Sequence, residues 1–208
     1  MKIYSYIKNY LIITLLITLA LVSSCSVVSA QDWDIDLLKK INPDPPTSKY
    51  WQYTSLSAYY VPASVSIGQF IYGIGQGSNL TRNRSYETFI SISLGTIIGE
   101  VLKFTVREQR PSDRYRGEIF VNSPTKDPSF PSGHTILAFA TATSLALEYK
   151  KWYVTGPAYL WAGSVAFSRM YLGKHYPSDV LAGAAIGALS GVVSHRFSVN
   201  VLKSYNMK

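Results

Sequence analysis

Five stretches of this chain contain no Asp, Glu, Lys or Arg: residues 50–81, 88–99, 128–147, 152–168 and 180–194. A helix on the surface of a soluble domain normally keeps charge on its wet face. These stretches have no such face, so they must be buried in protein or in lipid. They predict helices near 57–75, 87–106, 134–148, 153–168 and 178–195. Most are short against the roughly 20 apolar residues of a usual span. Tyr, Trp, Ser and Thr at the interfaces would extend them, and Tyr50, Trp51, Tyr53, Trp152 and Tyr153 cluster at such ends. Ala182, Gly183, Ala184, Ala185, Gly187 and Gly191 would let helix backbones approach closely. The expected fold class is all-α, a helical bundle of about five membrane-embedded helices after an N-terminal signal segment. The alternative is a soluble all-α domain with buried helices.

Composition narrows the functions. Of 208 residues, 15% are charged and 47% hydrophobic, which excludes a disordered chain or a disulfide scaffold. The net charge is +8, from 20 Lys and Arg against 12 Asp and Glu. A basic chain suits nucleic acid, anionic lipid or an anionic substrate. No long Lys/Arg run or basic helical stripe is present, so no nucleic-acid partner is expected. Cys25 is the single cysteine, and no internal disulfide can form.

The first 30 residues read as an export signal. Lys2 and Lys8 form a basic region, Leu11 to Val22 an apolar one, and Val28, Ser29 and Ala30 a cleavage site before Gln31. Two rivals are a lipoprotein signal with Cys25 lipidated, and an uncleaved first span over residues 11–29. All three place residue 31 outside the cytoplasm. The organisation expected is a signal at 1–30, an exported segment at 31–56, a helical domain at 57–195 and a basic cytoplasmic tail at 196–208. Within the exported segment a short amphipathic piece near Ile35–Ile41 precedes an extended linker with Pro43, Pro45 and Pro46.

Three polar clusters interrupt this apolar pattern, each at an end of an expected helix. They are Lys103 to Pro111, Pro131-Ser132-Gly133-His134, and Ser168-Arg169 through His175 to Asp179. Lys103, Arg110 and Arg169 are cations, and the guanidiniums suit bidentate phosphate oxygens. Ser132 and Gly133 begin a helix, where backbone N–H groups and the helix dipole favour an anion. His175 stands four residues before Asp179, a spacing at which the carboxylate can hold one ring N–H and fix the tautomer. The other nitrogen is then free to attack phosphorus. His134, in a first helical turn, can donate a proton to a leaving oxygen. No cluster has metal-ligand character, so neither metal nor cofactor is expected.

These clusters resemble the signature of the type 2 phosphatidic acid phosphatase superfamily: Lys-x6-Arg-Pro, then Pro-Ser-Gly-His, then Ser-Arg-x5-His-x3-Asp. Every specified position is present, across residues 103–179. The resemblance implies an all-helical, metal-independent enzyme with His175 as nucleophile, Asp179 as orienting acid and His134 as general acid. It implies Lys103, Arg110, Ser132, Gly133 and Arg169 as phosphate ligands. The family includes lipid phosphatases, exported soluble acid phosphatases and vanadate haloperoxidases.

Topology gives a separate expectation. Threading five helices puts all three clusters on the face that carries residue 31. The opposite loops, 76–86, 149–152 and 196–208, hold Arg82, Arg84, Lys150, Lys151, Arg196, Lys203 and Lys208, as cytoplasmic loops do. The expected protein is an inner-membrane lipid phosphate or pyrophosphate phosphatase of a bacterium, with a periplasmic site and a phosphohistidine intermediate. Candidate substrates from the resemblance are undecaprenyl pyrophosphate, phosphatidylglycerol phosphate, phosphatidate and lipid A phosphates. Rival readings are a soluble periplasmic acid phosphatase, a haloperoxidase and a non-catalytic lipid-binding protein. Glu100 is expected to pair locally with Lys103. Lys174 is read as either a phosphate contact or a snorkelling side chain. His195 is expected outside the chemistry; Arg114 and Arg116 are read as part of a solvated loop rather than a grip on a second phosphate or head group, and Tyr59, Tyr60, Phe70 and Tyr72 as helix packing rather than a lipid-tail groove. Oligomeric state is not legible.

Overall fold

The computed structural model describes residues 31–206; the export signal and Cys25 lie outside them. Over these residues the chain is all-helical. We number the helices α1 (Gln31–Ile41), α2 (Lys49–Gly75), α3 (Asn79–Val106), α4 (Pro111–Arg114), α5 (Gly133–Tyr149), α6 (Trp152–Tyr171) and α7 (Pro177–Asn206). The five long ones correspond to the five charge-free stretches.

Local chemistry sets the helix ends. Ser78 Oγ accepts the Thr81 amide at 3.3 Å and caps α3, which therefore begins ahead of the expected residue 87. α2 also starts early, at Lys49, because Trp51 has a partner: its ring lies 4.8 Å from Phe167 and 6.0 Å from Tyr171 on α6. Pro177 opens α7, where a missing N–H costs nothing. α7 runs on past residue 195 through most of the expected tail.

α5 is packed by α3, α6 and α7. Ala138 and Ala142 meet Ala58, Ala162 and Val165 on one side, and Ile136 meets Ile98, Leu102 and Ile186 on another. α7 approaches α5 at glycines: a Cβ on Gly187 would lie 2.5 Å from the Ile136 carbonyl and 2.9 Å from the Ala140 amide. A third cluster, of Ile35, Leu38, Ile119 and Tyr176, seats α1 on the end of the bundle where the sequence motifs meet.

The opposite end is tied by a separate polar set. Glu148 accepts from Gln69 at 2.7 Å and Thr88 at 2.8 Å, joining α5 to α2 and α3. His195 Nδ1 lies 2.6 Å from Glu87, which places His195 far from the motif end. A helix of α6's 20 residues spans about 30 Å. Between the two ends, Tyr60, Ile67, Ile71, Ile97 and Leu160 are all exposed, and Leu56, Phe104 and Leu181 are exposed nearer the motif end. Asn79–Arg114 and Pro177–Val199 contain stretches long and apolar enough to cross a membrane.

Candidate active site

The three clusters, far apart in sequence, converge at one end of the bundle. Lys103 is in the last turn of α3, Arg110 precedes α4, and Gly133 and His134 open α5. Arg169 is in the last turn of α6, His175 follows it, and Asp179 is in the first turn of α7. Lys103, Arg110, Gly133, His134, Arg169 and His175 line one cavity of about 200 Å³.

His175 is held from both sides. Its Nδ1 lies 3.2 Å from Asp179 Oδ2 and its Nε2 3.4 Å from Arg110 Nη1. A carboxylate can only accept and a guanidinium can only donate, so the proton belongs on Nδ1 and the lone pair on Nε2. Burial, reinforced by Arg169, Arg110 and Lys103, holds the imidazole well below its ordinary pKa. The ring is therefore neutral at pH 7, with a free nucleophilic nitrogen at the cavity wall.

Asp179 is fixed in turn. The same Oδ2 accepts from Ser129 Oγ at 2.5 Å and from the Tyr176 amide at 2.9 Å. The His175 loop leaves α6 through Gly173, whose φ of +65° suits glycine. A Cβ there would also crowd Asn42 Nδ2 and Ile119 Cγ2, each at 3.1 Å.

The cations are arranged around an acid absent from the motifs. Asp127 Oδ2 lies 2.9 Å from Lys103 Nζ and 2.8 Å from Arg110 Nη2. Arg110 also donates to the Asp127 carbonyl at 2.9 Å and the Lys174 carbonyl at 2.6 Å, so its plane is set largely by main chain. Burial opposes ionisation of Asp127, but Lys103 and Arg110 outweigh it and hold the carboxyl at about 2. Arg169 donates to Ser55 Oγ at 2.5 Å. Glu100 lies 3.7 Å from Lys103, the local pair expected.

Ser132 stands apart from the other predicted ligands. It does not line the cavity: its amide donates to the Asp179 carbonyl at 3.1 Å, and its hydroxyl accepts from Thr135 at 2.9 Å. It locks the α5 start to the α7 start. Arg114 and Arg116 do not line the cavity either. Tyr59 does, with its ring 4.5 Å from that of His134, rather than serving helix packing alone. Lys174 is buried and bonds to Ser123, so it does not snorkel.

The cavity wall supplies an unprotonated nitrogen, a second imidazole and three cations. The sequence profile of the PAP2 superfamily matches residues 87–203, more than half of the chain. The chain belongs to the PAP2 superfamily. An undecaprenyl-diphosphatase of Sulfolobus acidocaldarius is 32% identical over 109 residues, 52% of each protein, so this chain spans about half the length of that curated PAP2 relative. The crystal structure of Aquifex aeolicus LpxE superposes with a TM-score of 0.69 at 26% identity, covering 82% of this chain and 99% of that one. A transmembrane PAP2-type phosphatidylglycerolphosphate phosphatase from Bacillus subtilis shares the fold with a TM-score of 0.69 at 20% identity, covering 91% and 96%.

Proposed function

We propose that this PAP2 protein is a membrane-embedded, metal-independent phosphatase of lipid phosphates or pyrophosphates, acting through a phosphohistidine at the membrane face away from the cytoplasm. The observation that carries the chemistry is His175: Nδ1 against Asp179, Nε2 open to the cavity beside Arg110. Nε2 attacks phosphorus while Lys103, Arg110 and Arg169 neutralise the equatorial oxygens of the five-coordinate transition state. The arriving phosphate supplies the negative charge under which His134 can carry a proton among these cations, for delivery to the leaving oxygen. Water then attacks the phosphohistidine and releases inorganic phosphate.

The exposed apolar side chains between the two bundle ends support membrane embedding. Soluble monomers rarely expose contiguous apolar patches beyond a few hundred Å². The diphosphatase and lipid-phosphatase names among the relatives support a phosphorylated lipid as substrate.

The test is phosphate release by detergent-purified protein in EDTA, wild type beside His175→Ala. The panel holds undecaprenyl pyrophosphate, phosphatidylglycerol phosphate, phosphatidate, lipid A and one soluble ester. Release from a lipid by the wild type, lost in His175→Ala, is the expected result. Full activity in His175→Ala overturns the mechanism.

A further inference from the structure

A second cavity of about 340 Å³ opens beside the catalytic one. Gln52, Ser55, Asn122, Ser123, Thr125 and Lys174 give it a polar wall. His134, Arg169 and Thr125 line both cavities, whereas His175 lines only the catalytic one of the two. The imidazole proposed as proton donor therefore stands on the wall shared by the two cavities, so that a leaving group protonated there would meet the side cavity.

The side cavity is built for an anion. Lys174 is buried, and its hydrogen bonds among the described residues go to the Ser123 carbonyl and, at 3.1 Å, the Ser123 hydroxyl. No carboxylate among the described residues forms an ion pair with it. Asp127 acts on it only at a distance, and a buried cation that no carboxylate touches is costly unless something anionic completes it. The shared wall holds two further orphans: Arg169 Nε and Thr125 Oγ1 are buried with no hydrogen-bond partner among the described residues. Arg169 is 6% exposed, so its free N–H has no bulk water to turn to. Burial, then Arg169 and Arg110, lowers the Lys174 ammonium to about 8, which leaves it mostly charged at neutral pH.

We propose that the side cavity is a second phosphate subsite, with Lys174 as its cation, and that the enzyme is selective for diphosphate over monophosphate esters of a lipid alcohol. This rests on the phosphatase reading above. His175 Nε2 forms its bond to the terminal phosphorus, and the bond from that phosphorus to the bridging oxygen breaks. The bonding electron pair stays on the bridging oxygen, which leaves as part of the lipid monophosphate beside Lys174, Arg169 and Thr125. Water attacks the phosphohistidine, inorganic phosphate departs, and the ring recovers its neutral form. A monoester would instead press an apolar alcohol against Lys174. Leu56, on the cavity wall, is followed one turn later by the exposed Tyr60, an apolar path outward for the chain.

The experiment compares farnesyl diphosphate with farnesyl monophosphate on the detergent-purified full chain, as kcat/KM for wild type, Lys174→Met, Lys174→Arg and His175→Ala. The wild type should prefer the diphosphate. A lost charge-assisted contact predicts that Lys174→Met lowers the diphosphate value by about 10- to 100-fold more than the monophosphate value. Lys174→Arg should keep most of the preference. Inorganic pyrophosphate should inhibit the wild type more strongly than phosphate does, and this difference should shrink in Lys174→Met. Equal losses on both esters would mean that Lys174 only braces the Ser123 loop and would overturn the subsite. No preference in the wild type would overturn it too. If the wild type hydrolyses neither ester faster than His175→Ala, the phosphatase reading falls first and this inference with it.

Discussion

At the scale of single residues, the unexpected groups are acids. Asp127 gives one carboxylate oxygen to both Lys103 and Arg110, the cations a phosphate would use. Arg110 remains anchored by the Asp127 and Lys174 carbonyls when that charge is removed. Asp127→Asn should therefore relieve competition without displacing Arg110. KM for a phosphate ester and the inhibition constant of inorganic phosphate should both fall, by about 3- to 10-fold. Steady-state kinetics at fixed ionic strength measure this, and a rise in both would show Asp127 to be an organiser of the site instead. Glu108 is the second acid. Burial, then the facing charge of Asp179, pushes its carboxyl up to about 8. The folded state thus holds a proton that the unfolded state has lost above about 4.5, so stability falls as pH rises from about 4.5 to about 8. Glu108→Gln removes that slope, and its Tm advantage over wild type should be larger at pH 8 than at pH 5. The three motifs stood out in the sequence because phosphoryl chemistry would need particular side chains at fixed spacings, and the fold brings them to one end of the bundle. Asp127, Glu108 and Tyr59 did not stand out, because their roles arise when a loop or a neighbouring helix folds over the site.

At the scale of elements, α1 is a strap across the end that holds the candidate site. Asn42 accepts the Phe120 amide at 2.8 Å and donates to the Phe120 carbonyl at 3.0 Å and the Tyr171 carbonyl at 2.8 Å. It joins the 115–131 loop to the end of α6, directly ahead of the His175 loop. Asp34 accepts from the Ser178 amide at 2.9 Å and from its hydroxyl, next to Asp179. Leu38 and Ile35 bury beneath. Asn42→Ala removes three bonds and leaves buried main-chain groups unpaired, at about 2 kcal/mol or more. The Tm should fall by several degrees, and kcat should fall more than KM rises, because the loop that aims His175 loosens while the cations stay. Thermal unfolding in detergent with parallel kinetics checks both. The amphipathic piece near Ile35–Ile41 was visible in the sequence, but its docking was not: Pro43, Pro45 and Pro46 read as a linker and give no sign of where the segment before them returns. The long helices were legible because absence of charge is a property of whole segments. Their starts were not, because α2 begins where Trp51 finds α6 and α3 where Ser78 caps it, and both are tertiary or local bonds rather than patterns.

At the scale of the whole molecule, the two ends of the bundle differ in charge chemistry, and that difference predicts an orientation. The site end gathers Lys103, Arg110, Arg169 and Lys174 around Asp127 and the cavities, and its exposed Arg107, Arg114, Arg116 and Lys126 stand in a segment that also carries Asp113, Glu118 and Asp127. The other end presents Lys150 and Lys151 at the turn between α5 and α6, with Arg82 and Arg84 near the start of α3. Lys and Arg in short loops remain on the cytoplasmic side during insertion, since carrying them across is costly. The site should therefore face away from the cytoplasm, where a lipid diphosphate or monophosphate in the outer leaflet could enter past Leu56 and Tyr60. Single cysteines at two exposed positions test this, Lys126→Cys at the site end and Lys151→Cys at the other, each in a Cys25→Ser background. In intact spheroplasts a membrane-impermeant maleimide should label position 126 and reach position 151 only after permeabilisation. The reverse pattern would put the site in the cytoplasm and call for a substrate from the inner leaflet. Labelling of both positions without permeabilisation, together with extraction by salt alone, would instead describe a soluble exported enzyme whose apolar belt is covered by protein.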